Sequence, residues 1–314
     1  MKYMVIGAGG TGGGIGGFLS KAGKDVTLIA RGRHLEAMRT RGLRFETSHG
    51  SYTVPVKACT MEEYGSLPPY MGAPDIIFVC VKGYSLEDTV PFISRISKRE
   101  TIVIPILNIY GTGKKLQGQL PGLVVTDGCI YIASEIKEPG TILMSGDIFR
   151  VVYGLRKGTS EKTVASVRPL LETVGQDLKE AGILPIFSEE IERDALQKFS
   201  FVSPMAAVGA GYHVTASAMQ ENGNYRPLFV SLVKEIKSLA EAMDIHLPED
   251  IVDINLKIMD DLVPTATASM QRDLQNGRQS EMDGLICEVV RLGEQYGVAL
   301  PEYKKLAEKL AGNA

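Results

Sequence analysis

Residues 2–6 of this 314-residue chain are an apolar run that passes directly into Gly7-Ala8-Gly9-Gly10-Thr11-Gly12, and helical character then continues to Ala22. No other feature restricts the fold as much. Between a strand and a helix, a G-x-G-x-x-G spacing has a mechanical reading. The first glycine turns the chain sharply, the second lets backbone approach a pyrophosphate, and the third lets helix and strand pack closely. The helix start then offers unbonded N–H groups and the positive end of its dipole to phosphates. A glycine-rich turn without a ligand is the bland alternative, but it does not explain why so many glycines precede a helix that they weaken. Gly13, Gly14, Gly16 and Gly17 continue the run and predict unusually close packing. The N-terminal part is expected to bind a dinucleotide, with Gly7, Ala8, Gly9, Gly10, Thr11 and Gly12 around its phosphates.

Up to Phe187, short β-branched runs alternate with helical stretches, as in βαβ units around a parallel sheet. Candidate strands cover residues 2–6, 25–30, 75–81, 101–106 and 123–131. Most are apolar throughout, as strands covered on both faces should be. Residues 43–46 and 52–56 flank Ser48-His49-Gly50-Ser51 and predict an inserted hairpin. Residues 140–144 and 149–154 are expected to extend the sheet with antiparallel strands. From Ser188 onward the pattern is helical, with helices through 191–201, 225–243 and 281–296, the last between Ser280 as N-cap and Gly297 as C-cap. The expected fold is α/β over residues 1–187, a Rossmann domain doubly wound around a mostly parallel sheet, followed by an all-α domain over residues 188–314.

Composition narrows the partner. A formal net charge of −3 sets up no positive field for nucleic acid or an acidic membrane, which leaves a small molecule as the default ligand. The four cysteines, Cys59, Cys80, Cys129 and Cys287, stand singly with no metal-ligand spacing, and read as thiols of a reducing compartment. No apolar run suits a signal peptide or a membrane span, so the cytoplasm is the expected location.

The choice between nicotinamide cofactors belongs to the end of the second strand, where an acid would hold a ribose hydroxyl. Here stand Arg31 and Arg33. An arginine fork suits a 2′-phosphate, so NADP(H) is expected with Arg31 as its ligand; two solvated surface charges are the alternative. Lys82 and Asn108 close two further strands, and in a doubly wound sheet Gly7, Arg31, Lys82 and Asn108 should face one crevice. For each alone, a strand-terminating polar residue is as good a reading.

Hydride delivery to a ketone creates an alkoxide, which needs a proton or a cation. Lys198 is the conspicuous donor, because residues 199–220 contain no Asp, Glu, Lys or Arg. Partial burial is expected to lower its pKa toward a useful range. A lysine whose stem merely covers apolar neighbours is the competing reading. Ser269 and Glu281 flank Asn276-Gly277, which should break the helix between them. On physics alone either is equally a helix-terminus residue.

The constellation resembles the ketopantoate reductase (2-dehydropantoate 2-reductase) family over essentially the whole chain: the Gly7–Gly12 turn, Val81-Lys82, Asn108, Lys198, and Ser269-Met270 with Glu281. The resemblance implies NADPH-dependent reduction of ketopantoate to pantoate, in the pathway to pantothenate and coenzyme A, and a helical domain like that of 6-phosphogluconate dehydrogenase. It also implies roles. Lys198 corresponds to the general acid and Glu281 to the carboxylate that orients it and the substrate. Ser269 corresponds to a substrate-binding serine, Asn108 to a residue near nicotinamide and substrate, Lys82 to a residue of the crevice, and Arg31 to the 2′-phosphate ligand. The departures are Val202 and Ala206 where the family carries asparagines, Leu107 and Ile109 in place of the Gln and Gly around Asn108, and Ser85 in place of a glutamine. Fewer hydrogen-bonding groups suit a hydroxylated substrate less well. The expectation is a ketopantoate reductase; the alternatives are a paralogous reductase of another 2-keto acid, or a nonenzymatic NADP-binding sensor. The apolar run from Phe199 to Gly211 is also a candidate homodimer interface.

Overall fold

In chain order the structure runs β1 (Lys2–Ile6), α1 (Gly10–Lys21), β2 (Asp25–Ile29), α2 (Gly32–Arg41), β3 (Leu43–Thr47), β4 (Gly50–Val54), β5 (Lys57–Cys59), α3 (Met61–Gly65), β6 (Ile76–Val79), α4 (Val90–Ile96), β7 (Ile102–Pro105) and α5 (Thr112–Gln119). It continues through β8 (Val124–Val125), β9 (Asp127–Glu138), β10 (Thr141–Gly154), α6 (Glu161–Glu180) and β11 (Leu184–Phe187). Among the described residues the α-helices that follow are α7 (Ile191–Tyr212), α8 (Ala216–Gln220), α9 (Tyr225–Ala242), α10 (Ile251–Asp260), α11 (Ser269–Gln275), α12 (Glu288–Tyr296) and α13 (Pro301–Ala311). This computed structural model describes residues 1–68 and 72–312. By its contacts the chain forms two units, Met1–Leu107 with Gly111–Ile191, and Asn108–Tyr110 with Glu192–Ala314.

In the first unit six strands pair in the order β5-β2-β1-β6-β7-β8, every pairing parallel. With the β3–β4 hairpin set aside, this is the 3-2-1-4-5-6 order of dinucleotide-binding sheets, reversing between β1 and β6. The four residues of β6 and the four of β7 are all buried, as their apolar sequences require. The expected α/β fold class, with an all-helical second half, is borne out.

Two strand expectations need correction. Residues 123–131 are not one strand: β8 ends the parallel sheet, and β9 belongs to a second sheet. The chain leaves the first sheet at Asp127, whose carboxylate accepts the Gly113 N–H at 2.9 Å and the Arg156 guanidinium at 3.2 Å. Residues 140–144 and 149–154 do not extend the first sheet either. They form one strand, β10, antiparallel to β9 with an irregularity between Met144 and Phe149. The second sheet also takes in the β3–β4 hairpin and β11, both β3 and β11 running parallel to β10.

The glycine helix explains why two sheets exist. A methyl on Gly12 would meet the Gly7 carbonyl at 2.1 Å, and one on Gly16 would meet Leu28 at 2.4 Å, both on the parallel sheet's side. Methyls on Gly10, Gly13 and Gly17 would meet Ser134 backbone at 2.7 Å, Ile142 at 2.3 Å and Phe45 at 2.3 Å, all in the second sheet. Residues spaced by four, or by three and seven, lie on one helix face. The α1 helix is therefore bare on two faces because a sheet presses against each. Phe18 packs edge-on against Phe45 and Phe149 of the second sheet, with ring centroids 5.4 and 5.0 Å apart.

The helical unit has its own core, with Leu232, Val233 and Ile236 of α9 and Tyr303 of α13 fully buried. The α7 helix runs eleven residues beyond its expected end at Phe201, through Pro204. A helical proline leaves the carbonyl four residues earlier without its donor. That carbonyl belongs to Ser200, and the buried Asn255 amide supplies it, 3.1 Å to the oxygen and 2.9 Å to Ser200 Oγ. The helix expected from Glu281 starts one residue later and widens to a five-residue turn at Asp283–Cys287 before α12. Ser280 Oγ accepts only a long bond, 3.4 Å, from Met282 N–H, whereas Gly297 closes α12 in the left-handed region as expected. Among the described residues no helix is long and apolar enough to cross a membrane.

Candidate active site

The phosphate loop hangs between two strand ends. Gly7 and Ala8 donate their N–H groups to the Ile29 carbonyl at the end of β2, at 3.1 and 3.2 Å. Gly7 has φ +95° and its α-carbon lies so close to the Cys80–Val81 peptide that a methyl there would come within 2.9 Å. Any side chain at Gly7 is thus excluded twice, by conformation and by space. Gly9 differs, because a methyl on it would point into open space. The first helical bond runs from Gly13 N–H to Gly9 O at 2.7 Å, which leaves the N–H groups of Gly10, Thr11 and Gly12 ahead of the ladder. No acidic residue in the first turn offsets the dipole. This cradle fits a pyrophosphate.

Arg31 stands two residues past Ile29, with φ −146° and ψ 162°, as the residue preceding α2. Arg31 and Arg33 are exposed, and Lys82 is half-buried just after Val81. Gly7, Arg31 and Lys82 therefore share the carboxyl end of the parallel sheet, as expected. One further residue belongs to this neighbourhood and carried no signal in the sequence. His34 accepts the Gly140 N–H on Nδ1 at 3.0 Å, while its Nε2 is buried without a hydrogen-bond partner. Burial holds its pKa below the usual histidine value.

In the helical unit, Lys198 is half-buried on α7, and its Nζ donates to Asn108 Oδ1 at 2.6 Å. Asn108 thus reaches the lysine although 90 residues separate them. Its neighbours bind the same unit: the Tyr110 ring lies 6.2 Å from that of Phe199, and Ile109 lies against Gly284. Glu281 is only 6 % exposed, and its carbonyl accepts the Leu285 N–H at 2.9 Å. The Leu285 carbonyl in turn accepts Ser203 Oγ at 2.6 Å, and Ser203 lies five residues after Lys198 on α7. Glu281 is thereby fixed one turn from Gly284 and Leu285, the turn on which the Asn108 segment rests. Ser269 is the first residue of α11, half-buried, with Ala268 rather than Ser269 in the capping position. Gly277, at φ +62°, breaks the chain between Ser269 and Glu281 as expected.

Comparison with known proteins follows the same division. A family model for "Ketopantoate reductase PanE/ApbA" matches residues 3–158, and one for "Ketopantoate reductase PanE/ApbA C terminal" matches residues 190–314. The chain is 29% identical over 299 residues to a 2-dehydropantoate 2-reductase of Pyrococcus horikoshii, covering 93% of this chain and 91% of that protein. Among solved structures, a 2-dehydropantoate 2-reductase from Geobacter metallireducens superposes with a TM-score of 0.87 at 21% identity, covering all of both chains. A D-mandelate dehydrogenase solved with NADH and anilino(oxo)acetate superposes with a TM-score of 0.85 at 20% identity, covering 99% of this chain and 98% of that one.

Proposed function

Since the chain belongs to the ketopantoate reductase family, a family of oxidoreductases, we propose that it reduces a 2-keto acid to the 2-hydroxy acid with NADPH, and that ketopantoate is the substrate. The observation that carries the reading is the bond from Lys198 Nζ to Asn108 Oδ1, beside the turn that holds the buried Glu281. An ammonium has three donors. Asn108 accepts one of them and so orients the group that meets a substrate oxygen.

Reduced nicotinamide, when bound, supplies the hydride. The residues of this chain do the rest. The N–H groups of Gly10, Thr11 and Gly12 would hold the pyrophosphate and Arg31 the 2′-phosphate, with Lys82 just past the end of β6 contributing positive charge. As the keto carbon takes the hydride, charge develops on its oxygen, and Lys198 gives that oxygen a proton. The lysine is left neutral and recovers its proton from solvent. Glu281 keeps the lysine oriented, and Ser269 holds a polar group of the substrate. The four cysteines, scattered singly along the chain, suit a reducing, cytoplasmic setting.

A second substrate reading has its own observation. Val202 and Ala206 follow Lys198 at four and eight residues, on the same face of α7, with Val202 half-buried and Ala206 fully buried. A lysine flanked by apolar side chains suits a 2-keto acid whose substituent is apolar. The D-mandelate dehydrogenase of the same fold was itself solved with anilino(oxo)acetate.

The test is NADPH oxidation by the purified protein against ketopantoate, 3-methyl-2-oxobutanoate and phenylglyoxylate. Turnover of ketopantoate above the others supports the first reading, and preference for an unhydroxylated acid selects the second. Lys198→Ala should lower turnover about 10²- to 10⁴-fold while NADPH affinity stays within about twofold. Near-normal turnover by that variant would remove the proton donor.

A further inference from the structure

Ile109 fills the space over Gly284. A methyl on Gly284 would come within 2.3 Å of Ile109 Cδ1, 2.8 Å of Cγ1 and 3.1 Å of Cγ2. Cδ1 alone could swing away, but Cγ1 and Cγ2, which branch from one carbon, crowd the same point, so turning the end of the side chain does not by itself relieve the contact. Gly284 does not serve the backbone, since it is not among the residues with positive φ. Inside a helix, glycine is about 1 kcal/mol less favourable than alanine. A glycine that the backbone does not require and that weakens its helix points to the side chain seated on it.

That side chain is the immediate neighbour of Asn108, whose Oδ1 accepts from Lys198 at 2.6 Å. The other side of the contact is anchored. Gly284 lies in the widened turn Asp283–Cys287, and the Leu285 carbonyl is held by Ser203 Oγ at 2.6 Å, which also bonds Tyr303 OH at 2.7 Å. Ser203 returns the path to α7, five residues from Lys198. Lys198, Asn108, Ile109, Gly284, Leu285 and Ser203 thus form a closed circuit of contacts that joins the turn, α7 and the segment Asn108–Tyr110.

We propose that the Ile109–Gly284 contact is a positioning device that sets where the Asn108 carboxamide meets the Lys198 ammonium. The proposal rests on the reading of Lys198 as the proton donor. A side chain at position 284 would push Ile109 back by about 1 Å before ordinary contact is restored, enough to break the Asn108–Lys198 bond. Ile109 and Gly284 are positioning residues, and neither needs to touch substrate.

The experiment compares wild type, Gly284→Ala, Ile109→Ala, the double variant and Lys198→Ala as full-length proteins. Lys198 acetylation by N-acetoxysuccinimide, followed by mass spectrometry, reads the lysine without any substrate. Turnover of the best acid from the screen, its pH profile and NADPH affinity are measured alongside. Gly284→Ala should change Lys198 acetylation about fivefold and lower kcat about tenfold with a displaced pH profile, while NADPH affinity stays within about twofold. The double variant should return acetylation, kcat and pH profile to near wild type, because the methyl added at position 284 takes the space that the truncated residue 109 vacates. Should Gly284→Ala not fold, Ile109→Ala decides: a changed acetylation rate and lower kcat support the proposal, and wild-type values overturn it. A folded Gly284→Ala with wild-type acetylation and kcat overturns it, as does a double variant no better than the single one. An inactive Lys198→Ala beside flat acetylation across the variants removes the device and keeps the proton donor. An active Lys198→Ala beside the expected acetylation pattern does the reverse.

Discussion

At the scale of single residues, Arg31 and His34 carry different burdens although three positions separate them. Arg31 is exposed at the head of α2, and its proposed role is toward the cofactor alone. Replacing it with alanine should weaken NADPH about ten- to a hundredfold through the lost charge-assisted bonds and NADH hardly at all. Equal weakening of both, measured by nucleotide fluorescence titration, would refute the 2′-phosphate role. His34 is instead part of the fold, with Nδ1 committed to Gly140 N–H and Nε2 buried. Its pKa lies below the ordinary value of about 6.5 because burial disfavours the charged ring. Between those two values the unfolded chain binds a proton that the folded chain refuses. Its contribution to stability is therefore complete above the ordinary value and is lost as pH falls below it toward the folded value. The other three histidines, His49, His213 and His246, are exposed. Urea unfolding from pH 7.5 down to pH 5.5 should show a loss of stability that His34→Gln flattens; an identical pH slope in the variant would show that another group is responsible.

At the scale of elements, α1 sets local propensity against tertiary space. Alanine is the better helix former by about 1 kcal/mol, so propensity alone says that Gly17→Ala stabilises. The structure reverses the sign. The added methyl would meet Phe45 Cζ at 2.3 Å and Cε2 at 2.7 Å, and Phe45 is fully buried between Phe18 and Tyr52. Overpacking of this kind costs about 1–3 kcal/mol, which outweighs the gain. Gly118 in α5 is the control, exposed and with open space where its methyl would go. Denaturant midpoints should fall for Gly17→Ala and rise for Gly118→Ala; a rise for both would show that α1 is not clamped between sheets. The α7 helix shows a related compensation, where Asn255 supplies the donor that Pro204 removes from the Ser200 carbonyl.

For the molecule as a whole, each unit has its own core and its own half of the candidate chemistry. The cradle of Gly7–Gly12, Arg31 and Lys82 lies in the first, and the Lys198–Asn108 pair with Glu281 lies in the second. By chain position Asn108 follows the run that ends in β7, and its side chain and those of Ile109 and Tyr110 contact residues of the helical unit. The family match over residues 3–158 and 190–314 accords with two units that each keep a recognisable sequence.

The parallel sheet, the phosphate turn and the helical second half are legible without coordinates, because each is written in local terms: apolar runs of strand length, a glycine spacing, a helical period. Lys198 is marked in the same way, through the uncharged stretch that follows it. Other features exist only between residues far apart in the chain, and folding alone establishes them. The break at Asp127 that sends β9 into a second sheet depends on Gly113 and Arg156, and the two bare faces of α1 have meaning only once both sheets are in place. His34 gains its character from Gly140, 106 residues away, and Ile109 from Gly284, in a segment of the chain more distant still. No periodicity or motif records such a pairing, since it arises from close packing between segments whose sequences are independent until the chain folds.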